Sequence, residues 1–117
     1  MSTIKVNTIQ NTSGVEVYTA KAWVNFNGTG TVAIRASGNV SSITDNGTGD
    51  YTVNFATAMA DTNYSPQITS GWTPGVDNSS FSGVRANGIS TTTMRFANVN
   101  NSDAPYDSTN LNVAIFR

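Results

Sequence analysis

At 117 residues the chain is long enough for one domain with a modest core. Its net charge is −1, and its six basic residues, Lys5, Lys21, Arg35, Arg85, Arg95 and Arg117, are scattered, so the electrostatic footprint of nucleic-acid binding is missing. Cysteine and histidine are both absent, which excludes disulfides, thiolate or imidazole metal sites and histidine-based acid–base catalysis.

Hydrophobic residues make up 38% of the chain and charged residues 11%, against about 45–50% and about 25% in ordinary globular domains. Asn, Ser and Thr fill the gap, with 45 residues between them. Such a surface suits a solvated β-protein, since Thr fits strands well, and it suits contact with neutral partners such as glycans or other subunits. No run of 18 apolar residues offers a membrane span. MSTIKVNTIQ lacks the apolar core of a signal peptide, so the expectation is synthesis in a cytoplasm and delivery by assembly or lysis.

Residues 1–19 read as an arm or hairpin of their own. Thr3 to Asn7 alternates briefly, Asn11-Thr12-Ser13-Gly14 makes a turn, and Val15 to Tyr18 alternates again. The segment fits a hairpin at the edge of a main sheet or an extended arm pairing with another subunit. Residues 20–117 form the main domain. Strands are expected over Ala22–Asn27, with Val24 and Phe26 on one face and Trp23 and Asn25 on the other, and over Thr31–Ser37, with Val32 and Ile34 inward. Val40–Asp45 and Tyr51–Ala56 follow, the latter aligning Tyr51, Val53 and Phe55. Asn-Gly-Thr-Gly occurs at Asn27–Gly30 and again at Asn46–Gly49, and supplies the positive backbone dihedrals of tight hairpins.

Tyr64–Ser70 is the next strand, placed at an edge or starting near Pro66, because proline cannot donate a ladder hydrogen bond. Gly71–Ser79 reads as a loop. Phe81–Arg85 is a strand, Asn87-Gly88 a hairpin turn, and Thr91–Val99 a strand pairing Met94 with Phe96 on one face. Asn100–Asn110 is a second polar loop, and Leu111–Arg117 closes the chain with Leu111, Val113 and Ile115 aligned. No segment holds helical spacing over ten residues. Strands every 8–12 residues predict an all-β fold, an antiparallel β-sandwich of jelly-roll type.

Few residues carry chemistry. Asp45 and Asp50 flank a Gly-rich turn but lack the spaced third acid and bidentate glutamate of a calcium loop, so they read as turn and cap residues. Asp103 and Asp107 flank Ala104-Pro105-Tyr106 without a sign of the desolvation that glycoside hydrolysis demands of its acid. Ser and Thr nucleophiles have no histidine to activate them. No catalytic residue, cofactor or metal is expected. Aromatic residues in loops are the better lead: Trp72 and Tyr106, with Asp77, Asn78 and Asp107 nearby, could stack on a sugar and bond its hydroxyls. Trp23 reads as core or subunit interface.

One long stretch resembles a module of tail-fibre and related virion proteins from bacteriophages, notably phages of cyanobacteria and other aquatic bacteria. It runs through Lys5-Val6-Asn7-Thr8-Ile9-Gln10-Asn11-Thr12-Ser13-Gly14, Lys21-Ala22-Trp23-Val24-Asn25-Phe26-Asn27-Gly28-Thr29-Gly30-Thr31-Val32, Ile34-Arg35, Gly38-Asn39-Val40-Ser41-Ser42-Ile43-Thr44-Asp45 and Gly49-Asp50-Tyr51-Thr52-Val53-Asn54-Phe55. It covers residues 4 to about 64, and Asn112–Arg117 looks more loosely like the final strand of a fibre tip. The resemblance implies a β-structured, often trimeric virion appendage and brings no catalytic residues. With the module at the N-terminus rather than after an anchor and shaft, a short spike, a tail-tip component or a capsid decoration protein is expected.

The expected protein is therefore a homotrimer on a phage particle, with Ile4, Val6, Val15, Val17 and Trp23 at the subunit interface. Its partners would be other copies of itself, other virion proteins and a host-surface glycan held by Trp72, Asp77, Asn78, Tyr106 and Asp107. Neither nucleic acid nor membrane insertion is expected. The alternatives are a decoration protein binding only virion subunits and, remotely, a glycan depolymerase.

Overall fold

The computed structural model describes residues 2–71 and 81–117. Among them are eight strands: β1 (Ala22–Asn27), β2 (Ala33–Gly38), β3 (Val40–Gly47), β4 (Asp50–Phe55), β5 (Ser65–Ser70), β6 (Phe81–Ile89), β7 (Thr93–Val99) and β8 (Leu111–Phe116). They form two four-stranded antiparallel sheets, ordered β2-β1-β8-β5 and β3-β4-β7-β6, that enclose one core. The first-with-last pairing of a jelly roll is present in β1 and β8, whereas β1–β2, β3–β4 and β6–β7 pair as sequence neighbours within a sheet.

Alternation decides what is buried. Ala22, Val24 and Phe26 of β1, Tyr51, Val53 and Phe55 of β4, Met94 and Phe96 of β7, and Leu111, Val113 and Ile115 of β8 all point inward and are nearly or fully buried. These four are the central strands of the two sheets, and Met59 and Tyr64 from the β4–β5 connection complete the core they enclose. At the centre Phe26 meets Tyr51 edge-on, with ring centroids 5.3 Å apart at 73°, and Phe96 packs on both, at 6.3 Å and 5.6 Å. Edge-to-face contacts of this kind add to the burial term. Phe55 and Tyr64 form a second edge-on pair, at 5.8 Å, towards the other end of β4.

The edge strands behave differently. Val32 packs partly against the core, but Ile34, expected inward, is 37% exposed. The reason is its place at the sheet edge: Ile34 pairs with the buried Phe26 and so shares its face, but β2 has no neighbour on its other side, and a bulge follows, in which Asn25 pairs with Ala36 and Arg35 is an extra residue. Arg35 uses that freedom to donate to the Thr109 carbonyl across the sheet edge. At the opposite edge lies β5, and Pro66 is its second residue, as a donor-less residue requires.

Asn87-Gly88 is not the β6–β7 turn. Both residues lie within β6, where the register with β7 shifts between Val84 and Ile89 and Asn87 has φ 59°. The chain reverses at Ser90–Thr92 instead. There the Ser90 hydroxyl oxygen accepts from the backbone N–H of Thr92 and of Thr93, and Ser90 N–H donates to the Thr93 carbonyl. A serine turn thus does what an Asn-Gly turn was expected to do.

One acid on the outer side of the second sheet is almost shielded from water. Asp50 lies outward on β4, yet it is 8% exposed because Arg95 covers it in a two-pronged pair, Nε to Oδ1 at 2.9 Å and Nη2 to Oδ2 at 2.7 Å. Arg85 adds a contact at 3.2 Å. The Arg95 hydrogen bonds, assisted by the charges of both arginines, hold the Asp50 carboxyl below the usual carboxylate range. Asp61 is paired in the same two-pronged way with Arg117, whose hydrogen bonds bring it down to about 2.

Two outcomes follow for stability. Phe26→Ala should cost about 3–5 kcal/mol in urea unfolding, because it opens a cavity where both sheets meet. For Asp50 and Asp61 the folded pKa is depressed, so the stability they supply is complete above the unfolded value of about 4 and is lost as pH falls below it. Thermal midpoints should therefore drop between pH 5 and pH 2, and Asp50→Asn should flatten that slope while lowering the midpoint at pH 7.

Candidate functional site

The loop between β7 and β8 is fastened to the sandwich by its own polar groups. Asn98 is fully buried on β7, and every polar atom of its side chain is used: Nδ2 donates to the Tyr106 carbonyl at 2.7 Å and to Ser108 Oγ at 3.1 Å, and Oδ1 accepts from Ser82 Oγ at 2.8 Å. Asn98 N–H donates to the Gly49 carbonyl, and Tyr106 N–H donates to the Asn98 carbonyl. Asp107 then reaches back, its Oδ1 accepting from Gly49 N–H at 2.8 Å and from the Tyr51 hydroxyl at 2.6 Å. That hydroxyl also lies 2.9 Å from the Gly28 carbonyl. Its single proton goes to the carboxylate, the shorter and charge-assisted partner.

Gly49 is required at this junction on two counts. Its φ is +64°, and a Cβ there would collide with the Asn98 carbonyl oxygen and the Tyr106 nitrogen. The second Asn-Gly-Thr-Gly turn is thus packed against a loop more than fifty residues downstream. Burial first, then the hydrogen bond to Asp107, pushes the Tyr51 hydroxyl pKa far above its ordinary value. Asp107, expected to face a ligand, works inside the molecule, and Tyr106 is half-buried with its backbone tied to Asn98. Trp72, Asp77 and Asn78 lie outside the described residues.

The outer face of the sheet β2-β1-β8-β5 carries a different cluster. Registers place Gly38, Trp23, Ala114 and Gln67 in one row across the four strands, and Ala36, Asn25, Asn112 and Thr69 in the next. Trp23 is 44% exposed. The pyrrole side of its ring occupies the space above Gly38: a Cβ on Gly38 would collide with Nε1 and stand 2.9 Å from Cδ1. Asn25 Nδ2 donates to Asn110 Oδ1 at 2.8 Å and to Asn112 Oδ1 at 2.6 Å, which fixes three carboxamides against one another. A shallow groove of about 310 Å3 runs here, with Trp23 on one bank, Ala114 in its floor and Gln67 and Thr69 on the other bank.

The N-terminal arm stands apart from both sheets. Gln10 pairs with Glu16 in an isolated bridge, and Asn11 Oδ1 accepts from Ser13 and Val15 N–H to close the turn. Its other backbone bonds run within the arm, between Val17 and Ile9, Asn11 and Val15, and Gly14 and Asn11. Ile4, Val6, Val15 and Val17 are 88%, 57%, 60% and 46% exposed. A cleft of about 250 Å3 separates part of the arm from Lys21, Phe116 and Arg117.

Among the described residues no group of three or more His, Cys, Asp or Glu could hold a metal, and no helix is long and apolar enough to cross a membrane. Asp45 turns out to cap its own hairpin, accepting from Gly47 N–H at 3.0 Å. The asparagine cluster beside Trp23 escaped sequence reasoning. Outward parity marked Trp23 and Asn25, but Asn110 and Asn112 lie 85 and 87 residues further along the chain, so only the β1–β8 register joins them.

Tyr51→Phe keeps the ring but removes the donor to Asp107. It should cost about 1.5–3 kcal/mol in chemical denaturation and raise hydrogen exchange in residues 100–110. The folded pKa of Tyr51 is raised, so its stabilisation is complete below the unfolded value of about 10 and is lost as pH rises beyond it. Alkaline destabilisation should accordingly be weaker in Tyr51→Phe than in the native sequence.

Comparison of the chain with protein-family models, with curated proteins and with solved structures finds no match.

Proposed function

We propose that this chain is a structural protein of a bacteriophage particle, a short spike or tail-fibre component that assembles as a homotrimer and contributes to attachment at a host surface. The observation that carries the reading is the arm. Ile4, Val6, Val15 and Val17 are solvent-exposed on a segment whose hydrogen bonds are mostly its own. An apolar hairpin of this size has too little to bury by itself, and a second copy of the chain gives it a surface to close on. The likeness of residues 4–64 to tail-fibre modules supplies the virion setting, and the scarcity of charge suits close packing between identical subunits.

The sandwich supports a binding or structural role rather than catalysis. Its conspicuous carboxylates are engaged: Asp50 with Arg95, Asp61 with Arg117, and Asp107 with Tyr51 and Gly49.

Light scattering of the purified protein should give the mass of three 12.3-kDa chains, and removal of residues 1–19 should give a folded monomer. A stable native monomer at micromolar concentration overturns the trimer. Immunogold labelling should place a few trimers at the tail; hundreds of labels over the capsid favour the decoration protein, and unlabelled particles overturn the virion reading.

A further inference from the structure

We propose that the outer face of the sheet β2-β1-β8-β5 binds a neutral glycan, with a pyranose ring seated between Trp23 and Gln67. The inference deepens the surface-attachment reading and rests on it for its biological setting.

The shape comes from a size alternation along one row. Trp23 and Gln67 stand on β1 and β5, with the small Ala114 of β8 between them. Two strand spacings, about 9–10 Å, separate the two banks. The dip at Ala114 is therefore a trough one sugar ring wide. Trp23 is held as its wall because the ring is wedged over Gly38 on the other side, where any side chain would displace it. A wall already fixed in place loses little freedom when a ligand binds.

The chemistry comes from what lines the trough. Asn25, Asn112, Gln67 and Thr69 contribute carboxamides and a hydroxyl, and none of the lining residues is charged. Carboxamides both donate and accept, which matches the paired hydroxyls of a sugar. The C–H face of a pyranose is weakly positive and apolar, which suits the negative face of an indole. An anionic ligand would find no cation in the trough. The Asn25 bonds to Asn110 and Asn112 orient the carboxamides in advance, and among the described residues Asn25 Oδ1 and Asn110 Nδ2 have no protein partner. Concave sites with an apolar wall and a few placed polar groups are the usual form of small-ligand sites.

The test is affinity electrophoresis of the full chain through native gels containing dextran, mannan, galactan or soluble chitin oligosaccharides, with heparin as the anionic control. At least one neutral glycan should retard the protein. Trp23→Ala should weaken that retardation tenfold or more, and Gln67→Ala, which leaves the Trp23–Gly38 packing in place, should weaken it several-fold. Circular dichroism and light scattering on both variants should match the native protein. The site is overturned if no neutral glycan retards the chain, if only heparin does, or if both variants bind like the native protein. It is also overturned if Trp23→Ala changes the oligomer mass, since that result puts the indole in a subunit interface and leaves the virion reading standing. Retardation by a chain that proves monomeric keeps the glycan site and removes the trimer.

Discussion

Tyr51 joins the two kinds of chemistry that hold this molecule together. Its ring is buried between Phe26 and Phe96, where the two sheets contact each other. Its hydroxyl leaves the apolar core and meets Asp107, which also holds Gly49. A phenylalanine would serve the core and take from the long loop before β8 one of its anchors, leaving Asn98 and Gly49 to hold it. A shorter polar residue would serve the loop and leave a hole. One side chain therefore couples the burial that drives collapse to the hydrogen bonds that give the loop a single conformation.

That coupling explains how a chain with so few charges and so many polar side chains keeps a defined structure. Asparagine here is not spread over the surface as generic solubility. Asn98 is buried and bonded at every side-chain polar atom, Asn39 donates to the carbonyls of Lys21 and Thr57, and Asn25 binds two further asparagines on the outer face. Among the described residues no buried side-chain nitrogen or oxygen lacks a partner. A neutral network of this kind avoids the desolvation that buried charges incur, and its carboxamides retain the capacity to bond outward where they face water.

The two outer faces diverge for the same reason. On the sheet that contains β4 and β7 the ion pair of Asp50 with Arg95 covers the surface, and Asn54 bonds Ser42 and Thr44 within it. On the other sheet Arg35 lies on the edge strand β2 and donates to the Thr109 carbonyl, and none of the residues lining the groove of Trp23, Ala114 and the carboxamides is charged. One face closes on itself, and the other keeps a groove open to water.

Sequence by itself determined which residues could be inside. Period-two alternation marked Val24 and Phe26, Tyr51 and Val53, Met94 and Phe96, and Leu111, Val113 and Ile115, because a strand in a sandwich must put one parity in the core. Pro66 marked an edge, since it has no N–H to give. Parity put Ile34 on the face of Phe26 but could not show that an edge strand would leave it partly exposed, and turn chemistry failed at Asn87-Gly88, where Ser90 closes the hairpin instead. Tertiary structure alone decided which distant residues meet. The pairing of β1 with β8 brings Asn25 to Asn112, the packing of the Gly49 turn on the last loop turns Asp107 inward, and the register of β1 on β2 seats Trp23 over Gly38. Local periodicity specifies a face, whereas a neighbour across the sheet depends on strand order and register, which are set by the closing of the whole core.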